Sequence, residues 1–259
     1  MSTALLLIDP QVDFCDPGGS LYVPGADQDM ARVARWLSSS QGEIDTLVVT
    51  LDTHHLLDIA HPDWWIDAYG GHPVPFSTIT SEDLQKGRYT VASETFKEAS
   101  FAYVDYLAAE GKKTLVIWPP HCLLGAPGHA IYEPIRQAIY DWEVARSKPV
   151  EYVLKGMNPL TEHYSAVRAE KVDPEDLATA TNGRMIHVLD NHDRIIVAGE
   201  ALSHCVADTV SDLMDQIRRD KFTLLEDGMS NVPGFESVGT RFLYRAKGRG
   251  VTVSETECL

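Results

Sequence analysis

Five apolar runs in this 259-residue chain end on residues able to do chemistry. ALLLI is followed by Asp9, and TLVVTL by Asp52, with His54 two residues on. TLVIW is followed by Pro119, Pro120 and His121, EYVL ends on Lys155, and IIVAG leads to Cys205. A thiol attacks as thiolate, and its pKa falls at a helix N-terminus or beside an ammonium group. An aspartate in reach can take the thiol proton and later deliver it to a leaving amine. Backbone N–H groups at the start of a helix can stabilise an oxyanion. Asp9, Lys155 and Cys205 therefore contain the parts of a cysteine amide hydrolase. No GxSxG or Walker-type loop competes, and GEALSHC lacks the glycines of a dinucleotide fingerprint.

Asp52, His54 and His121 make a second constellation. Two imidazoles and one carboxylate suit a divalent ion such as Zn, Fe or Mn. Open positions would take water or a ring nitrogen of a substrate. His61 is a candidate further ligand. His55, His72 and His129 are read as bystanders, and Cys122 as either structural or close to the metal. Each residue alone has an ordinary reading. Asp9 could be a cap or turn residue, Lys155 a solvated loop lysine, Asp52 and His54 turn chemistry, and His121 a core histidine. Their joint appearance at strand ends is what argues for a site.

The elements that must position them follow from hydrophobic patterning. Near-continuous apolar runs occur at 4–9, 46–52, 114–118, 151–155, 194–199 and 222–227, with another at 250–254. Such runs are strands of a parallel sheet, buried on both faces. Helical spacing appears between them at 27–39, 94–111, 133–146 and 206–220. The alternation predicts one α/β domain over 1–259, doubly wound, with a mainly parallel sheet and helices on both faces. Ligands bind beyond the carboxyl ends of the strands in such sheets, where the five runs end. Residues 56–93 lack periodicity and read as an irregular excursion, a lid or an oligomer contact. Residues 172–183 read as a short helix or loop.

The bulk numbers exclude several classes. A formal net charge of -16 opposes nucleic acid or an anionic membrane surface as partner. No apolar stretch is long enough for a transmembrane helix, and the N-terminus reads as a first strand in a cytoplasmic protein. The four cysteines are irregularly spaced without a CxxC, so reduced, separate thiols are expected, with no resolving partner for Cys205.

The motifs LLLIDPQVDF (5–14), LDTH (51–54), WPPHC (118–122), VLKG (153–156) with HYSAV (163–167), and GEALSHCVADTV (199–210) resemble the isochorismatase-like cysteine hydrolases. Within them they resemble the nicotinamidase/pyrazinamidase branch. The resemblance implies a triad of Asp9, Lys155 and Cys205, and a metal on Asp52, His54 and His121, zinc first among the candidates. It also implies a cis peptide at Glu200–Ala201, with Ala201 and Cys205 as oxyanion donors. Phe14, Trp118 and Tyr164 match positions lining the family's ring pocket. The implied activity is hydrolysis of a small amide through a thioester, nicotinamide to nicotinate and ammonia first, in a homo-oligomer. Another small amide or a carbamoyl/ureido compound is the alternative, then a non-catalytic binding member of the fold. The long segment between His61 and WPPHC, and the lack of the usual Asp-Trp-His form, bear on the substrate more than on the chemistry. Cys205 argues against an enol-ether hydrolase.

Overall fold

The computed structural model describes residues 1–259. Its first strand, β1 (Thr3–Ile8), is buried along its whole length, as an all-apolar run between two layers must be. The chain continues through α1 (Val12–Cys15), α2 (Ala26–Ser40) and β2 (Thr46–Asp52). An excursion follows with β3 (Trp65–Asp67), β4 (Thr78–Ile79), α3 (Ser81–Gln85) and β5 (Tyr89–Val91). Next come α4 (Lys97–Ala109), β6 (Leu115–Val116), α5 (Ile135–Arg146) and β7 (Glu151–Lys155). The last third holds α6 (Gly183–Asp190), β8 (Arg194–Gly199), α7 (Ala207–Met214), β9 (Phe222–Leu225), α8 (Glu236–Gly248) and β10 (Thr252–Ser254).

Six strands form one parallel sheet in the order β10-β9-β8-β1-β2-β7, with helices around it. Helix α2 packs on α5, and α7 on α8. Strand order reverses at β1: β2 and β7 lie on one side, and β8, β9 and β10 on the other. A crevice opens at such a switch point, beyond the carboxyl ends of the strands. The register fixes what meets there. Asp52 stands beside Lys155, and Ile8 beside Gly199.

That second pairing depends on glycine. Gly199 has φ of 128°, and a Cβ on it would lie 2.1 Å from the Ile8 carbonyl oxygen. Backbone cannot yield as a side chain tip can. Gly199→Ala is expected to cost about 3 kcal/mol or more, read from urea unfolding midpoints. A loss under about 1 kcal/mol would show that the two strands can separate without penalty.

Several expectations change. The run at 114–118 does not join the main sheet; only Leu115–Val116 is strand, antiparallel to β4. Its neighbours are committed to the excursion: Ile117 donates to Ser77 O, Phe76 to Ile117 O, and Trp118 to Ala60 O. The excursion itself is built around two buried tryptophans rather than irregular. Trp64 stacks on Phe96 at 4.5 Å and donates to Ser100 Oγ, while Trp65 donates to the Ile59 carbonyl. The helix expected at 206–220 ends at Met214, although Ile217 is still buried. Helices α6 and α8 were not anticipated. Asn182 caps α6 at the end of the segment read as a short helix or loop. Helix α8 buries only Gly239, Phe242 and Ala246, too few to mark a stripe. No helix is long and apolar enough to cross a membrane.

Candidate active site

Lys155 stands at the centre of the crevice. An ammonium group has three protons to donate. Here they go to Asp52 Oδ1 at 2.8 Å, the His163 carbonyl at 3.0 Å and Cys205 Sγ at 3.5 Å. Asp9 Oδ2 lies 2.9 Å from the same nitrogen as an ion pair, yet receives no directed hydrogen bond. Its free lone pair is available to the thiol of Cys205. Asp9 Oδ1 accepts from Thr50 Oγ1, which fixes the carboxylate's rotation. Asp9, Lys155 and Cys205 therefore meet as expected, all buried.

Burial pushes the Asp9 carboxyl up against the pull of Lys155. It opposes the charge on Lys155 too, but Asp52 and Asp9 outweigh it and hold the ammonium well above its ordinary value. The thiol departs from expectation. Burial pushes Cys205 well up, and Lys155 counters only part of this while Asp9 and Asp52 add to it. Nor does Cys205 begin a regular helix; it sits in a wide π-helical turn, Leu202–Val206, ahead of α7. Burial thus favours the thiol form, and Cys205 Sγ lies within 4.8 Å of an Asp9 carboxylate oxygen.

The second constellation also assembles. Ligand atoms of Asp52, His54 and His121 lie within 4.8 Å of one another. The tautomers suit a metal. His121 Nδ1 donates to the Pro119 carbonyl, and His54 Nδ1 to Asp58 Oδ2 at 3.0 Å, so both Nε2 atoms face Asp52. Outer partners of this kind orient imidazole ligands. His54 Nε2 is buried with no hydrogen-bond partner, an arrangement that costs free energy unless something binds there. The donor set fits a divalent ion. His61 stays outside this group of three, with its ring 5.2 Å from His54 and 5.4 Å from His121. Its Nε2 is likewise buried without a partner.

A small, partly open cavity joins the two constellations. Phe14, Trp118, Tyr164, Ala201 and Cys205 line it, together with Asp52 and His121. Sequence reasoning missed Glu162 and His204, which also line it. Burial pushes the Glu162 carboxyl up to about 7, and its Oε2 has no partner. No motif flagged Glu162, which lies between VLKG and HYSAV; His204 was hidden by its neighbour Cys205. Gln11 was also missed. Its side chain bonds the backbone of Asp52 in both directions, at 2.8 and 2.7 Å. Asp13 accepts from the Cys122 N–H at 2.7 Å and so anchors the loop bearing His121. The Glu200–Ala201 peptide is cis. Of the bystanders, His129 bonds Thr53, His72 bonds the Trp65 carbonyl, and His55 is exposed.

Known proteins of similar sequence or fold include nicotinamidases and a pyrazinamidase. No family model matches the chain. A nicotinamidase of Saccharomyces cerevisiae is 25% identical over 209 residues, covering 79% of this chain and 78% of that protein. Among solved structures, the yeast nicotinamidase superposes with a TM-score of 0.67 at 20% identity, covering 98% of this chain and 99% of its own. The chain has the isochorismatase-like hydrolase fold. A pyrazinamidase of Pyrococcus horikoshii in complex with zinc gives a TM-score of 0.59 at 20% identity, with 98% and 99% covered. The resemblance to the nicotinamidase/pyrazinamidase branch read from the motifs is borne out by these matches.

Proposed function

We propose that the chain is a cysteine amidohydrolase converting nicotinamide to nicotinate and ammonia. One observation carries the reading: Lys155 touches Asp9, Asp52 and Cys205 at once, which ties a nucleophile–acid pair to a metal-ligand set under an aromatic cavity. The named activity of the yeast relative supports the substrate.

The chemistry follows from the protonation states. Asp9 takes the proton from Cys205 as Sγ forms a bond to the amide carbon. The carbonyl π electrons move to oxygen, and the oxyanion is held by the Ala201 and Cys205 N–H groups. Collapse breaks the C–N bond, and Asp9 returns the proton to the departing ammonia. Asp9 then deprotonates water as it attacks the thioester, and the proton passes back to Sγ as the thiol leaves. Lys155 stays charged throughout and holds the two carboxylates in place. Phe14, Trp118 and Tyr164 flank the ring. Asp52, His54 and His121 would hold a divalent ion, zinc first, which when bound supplies a Lewis-acidic position for the ring nitrogen; His61, whose buried Nε2 has no partner, is the candidate further ligand beside them.

A single domain, a cytoplasmic location and a homo-oligomer belong to the same proposal. One continuous apolar core supports the first, and free thiols suit a reducing compartment. Edge strand β7 exposes Tyr152 and Leu154, which favours contact with a second copy.

The test is ammonia release from nicotinamide with metal content measured on the same sample. Turnover is expected with about one divalent ion per chain, to fall by about tenfold or more after chelation, and to return with zinc. A metal-loaded protein with no turnover would move the reading to another small amide or a ureido compound. Phe76 of the excursion packs edge-on to Trp118 at 5.8 Å, so that segment would be where selectivity had changed.

A further inference from the structure

Ala201 is gripped from both sides. The residue before it, Glu200, accepts from the Ser230 N–H through Oε2 at 3.0 Å. The residue after it, Leu202, donates to the Ser230 carbonyl at 2.8 Å. Ser230 Oγ in turn donates to Asp29 Oδ2 on α2, and Arg32 pairs with the other Asp29 oxygen. Arg32 also donates to the Asp227 carbonyl at 2.7 Å, tying the same loop to the helix. The Ala201 N–H itself has no acceptor in the protein, and Ala201 lines the cavity beside Cys205.

A fully buried glutamate is an expensive way to hold one N–H, and Glu200 is 0% exposed. Its Oε1 has no hydrogen-bond partner. Asp29 lies on the other side of Ser230, and its charge adds to burial in pushing the Glu200 carboxyl up.

We propose that Glu200 is a positioning residue which, joined to Asp29 through Ser230, holds the Ala201 N–H on the developing oxyanion. The inference rests on the amidase reading of the site, and it adds a second requirement: Glu200 works as the neutral acid. Burial pushes its carboxyl well up, and Asp29 adds to this. The groups facing it are Asp29 and Arg32 from α2, the buried thiol of Cys15 from α1, and Ser230. Asp9 follows Ile8, whose carbonyl accepts the Glu200 N–H, but Asp9's charge is paired with Lys155. A raised acid keeps its neutral form at low pH and loses it as pH rises through the folded value. Ionisation would then put a second negative charge across Ser230 from Asp29, next to the residue that carries the oxyanion donor.

Two reagents separate hole from nucleophile. Acylation of Cys205 by p-nitrophenyl acetate passes through an oxyanion; alkylation by iodoacetamide does not. Both rates are corrected with Cys205→Ala, and their ratio is read. Glu200→Ala is expected to lower the ratio about tenfold or more. Glu200→Gln, neutral at every pH, should keep the ratio near wild type at pH 7. Its ratio should also stay level over the pH range in which the wild-type ratio declines. An unchanged ratio in Glu200→Ala would overturn the proposal, as would a Glu200→Gln profile falling in parallel with wild type. So would a wild-type Cys205 that is alkylated but never acylated. If Glu200→Ala does not fold, the Glu200→Gln profile decides. Failure of nicotinamide turnover with the expected ester ratios would sink the substrate reading and leave Glu200 standing.

Discussion

Cys205→Ala is expected to lower kcat/KM for nicotinamide by at least about 10⁴-fold without disturbing the fold. The size follows from what remains. The cavity, the metal ligands and the Ala201 N–H would still bind and polarise the amide. Without Sγ, however, no thioester forms, and Asp9 has only water to activate at a position shaped for a larger atom. Cys205→Ser tests the same point differently. A hydroxyl keeps the shape but holds its proton far more tightly than a thiol. In a site where burial already pushes the thiol up, Asp9 could not remove it, so the serine variant should be nearly as inactive. Ammonia release measures the loss, and thermal unfolding checks the fold, with Tm expected within a few degrees of wild type. Residual activity above about one hundredth would mean that Cys205 is not the nucleophile.

Much of this site was legible because a parallel sheet converts sequence position into spatial position. Any residue just past an apolar run ends at one edge, so the sequence alone places Asp9, Asp52, Lys155 and Cys205 together. His121 was reached by a less secure route. Its run forms only a two-residue strand outside the main sheet, and the Asp13 carboxylate and the bridge between His54 and Leu123 bring the loop into place. Composition cannot show such tertiary hydrogen bonds. Glu162 and Glu200 were invisible for a related reason. A glutamate in sequence reads as a solvated charge, and only the fold reveals that these two are buried with unpartnered oxygens. The direction of the thiol's shift was not legible because burial, the largest cause, appears only in the fold, while Lys155 could be read from the sequence.

Lys155→Met is expected to destabilise the metal-free protein by about 3–5 kcal/mol and to abolish turnover. Met matches the stem of lysine, so the change removes a charge and little packing. Lys155 is 2% exposed, and the carboxylates it bridges, Asp9 and Asp52, are 0% and 5% exposed. Without the ammonium, two negative charges would face each other out of water, and the His163 carbonyl and Cys205 Sγ would each lose a donor. The cost belongs to the stranded carboxylates rather than to the lysine, and a second substitution shows this. Asp9→Asn in the Lys155→Met background should recover about 1–3 kcal/mol, a coupling expected only for groups in one network. The same Asp9→Asn change alone should be much less harmful to stability than to turnover. Urea unfolding of chelated samples measures all four corners of the cycle. If Lys155→Met unfolded at the wild-type midpoint, Asp9 and Asp52 could not both be ionised in the resting protein. The lysine would then be holding a shared proton rather than two charges, and Asp9 would enter the reaction as an acid instead of a base.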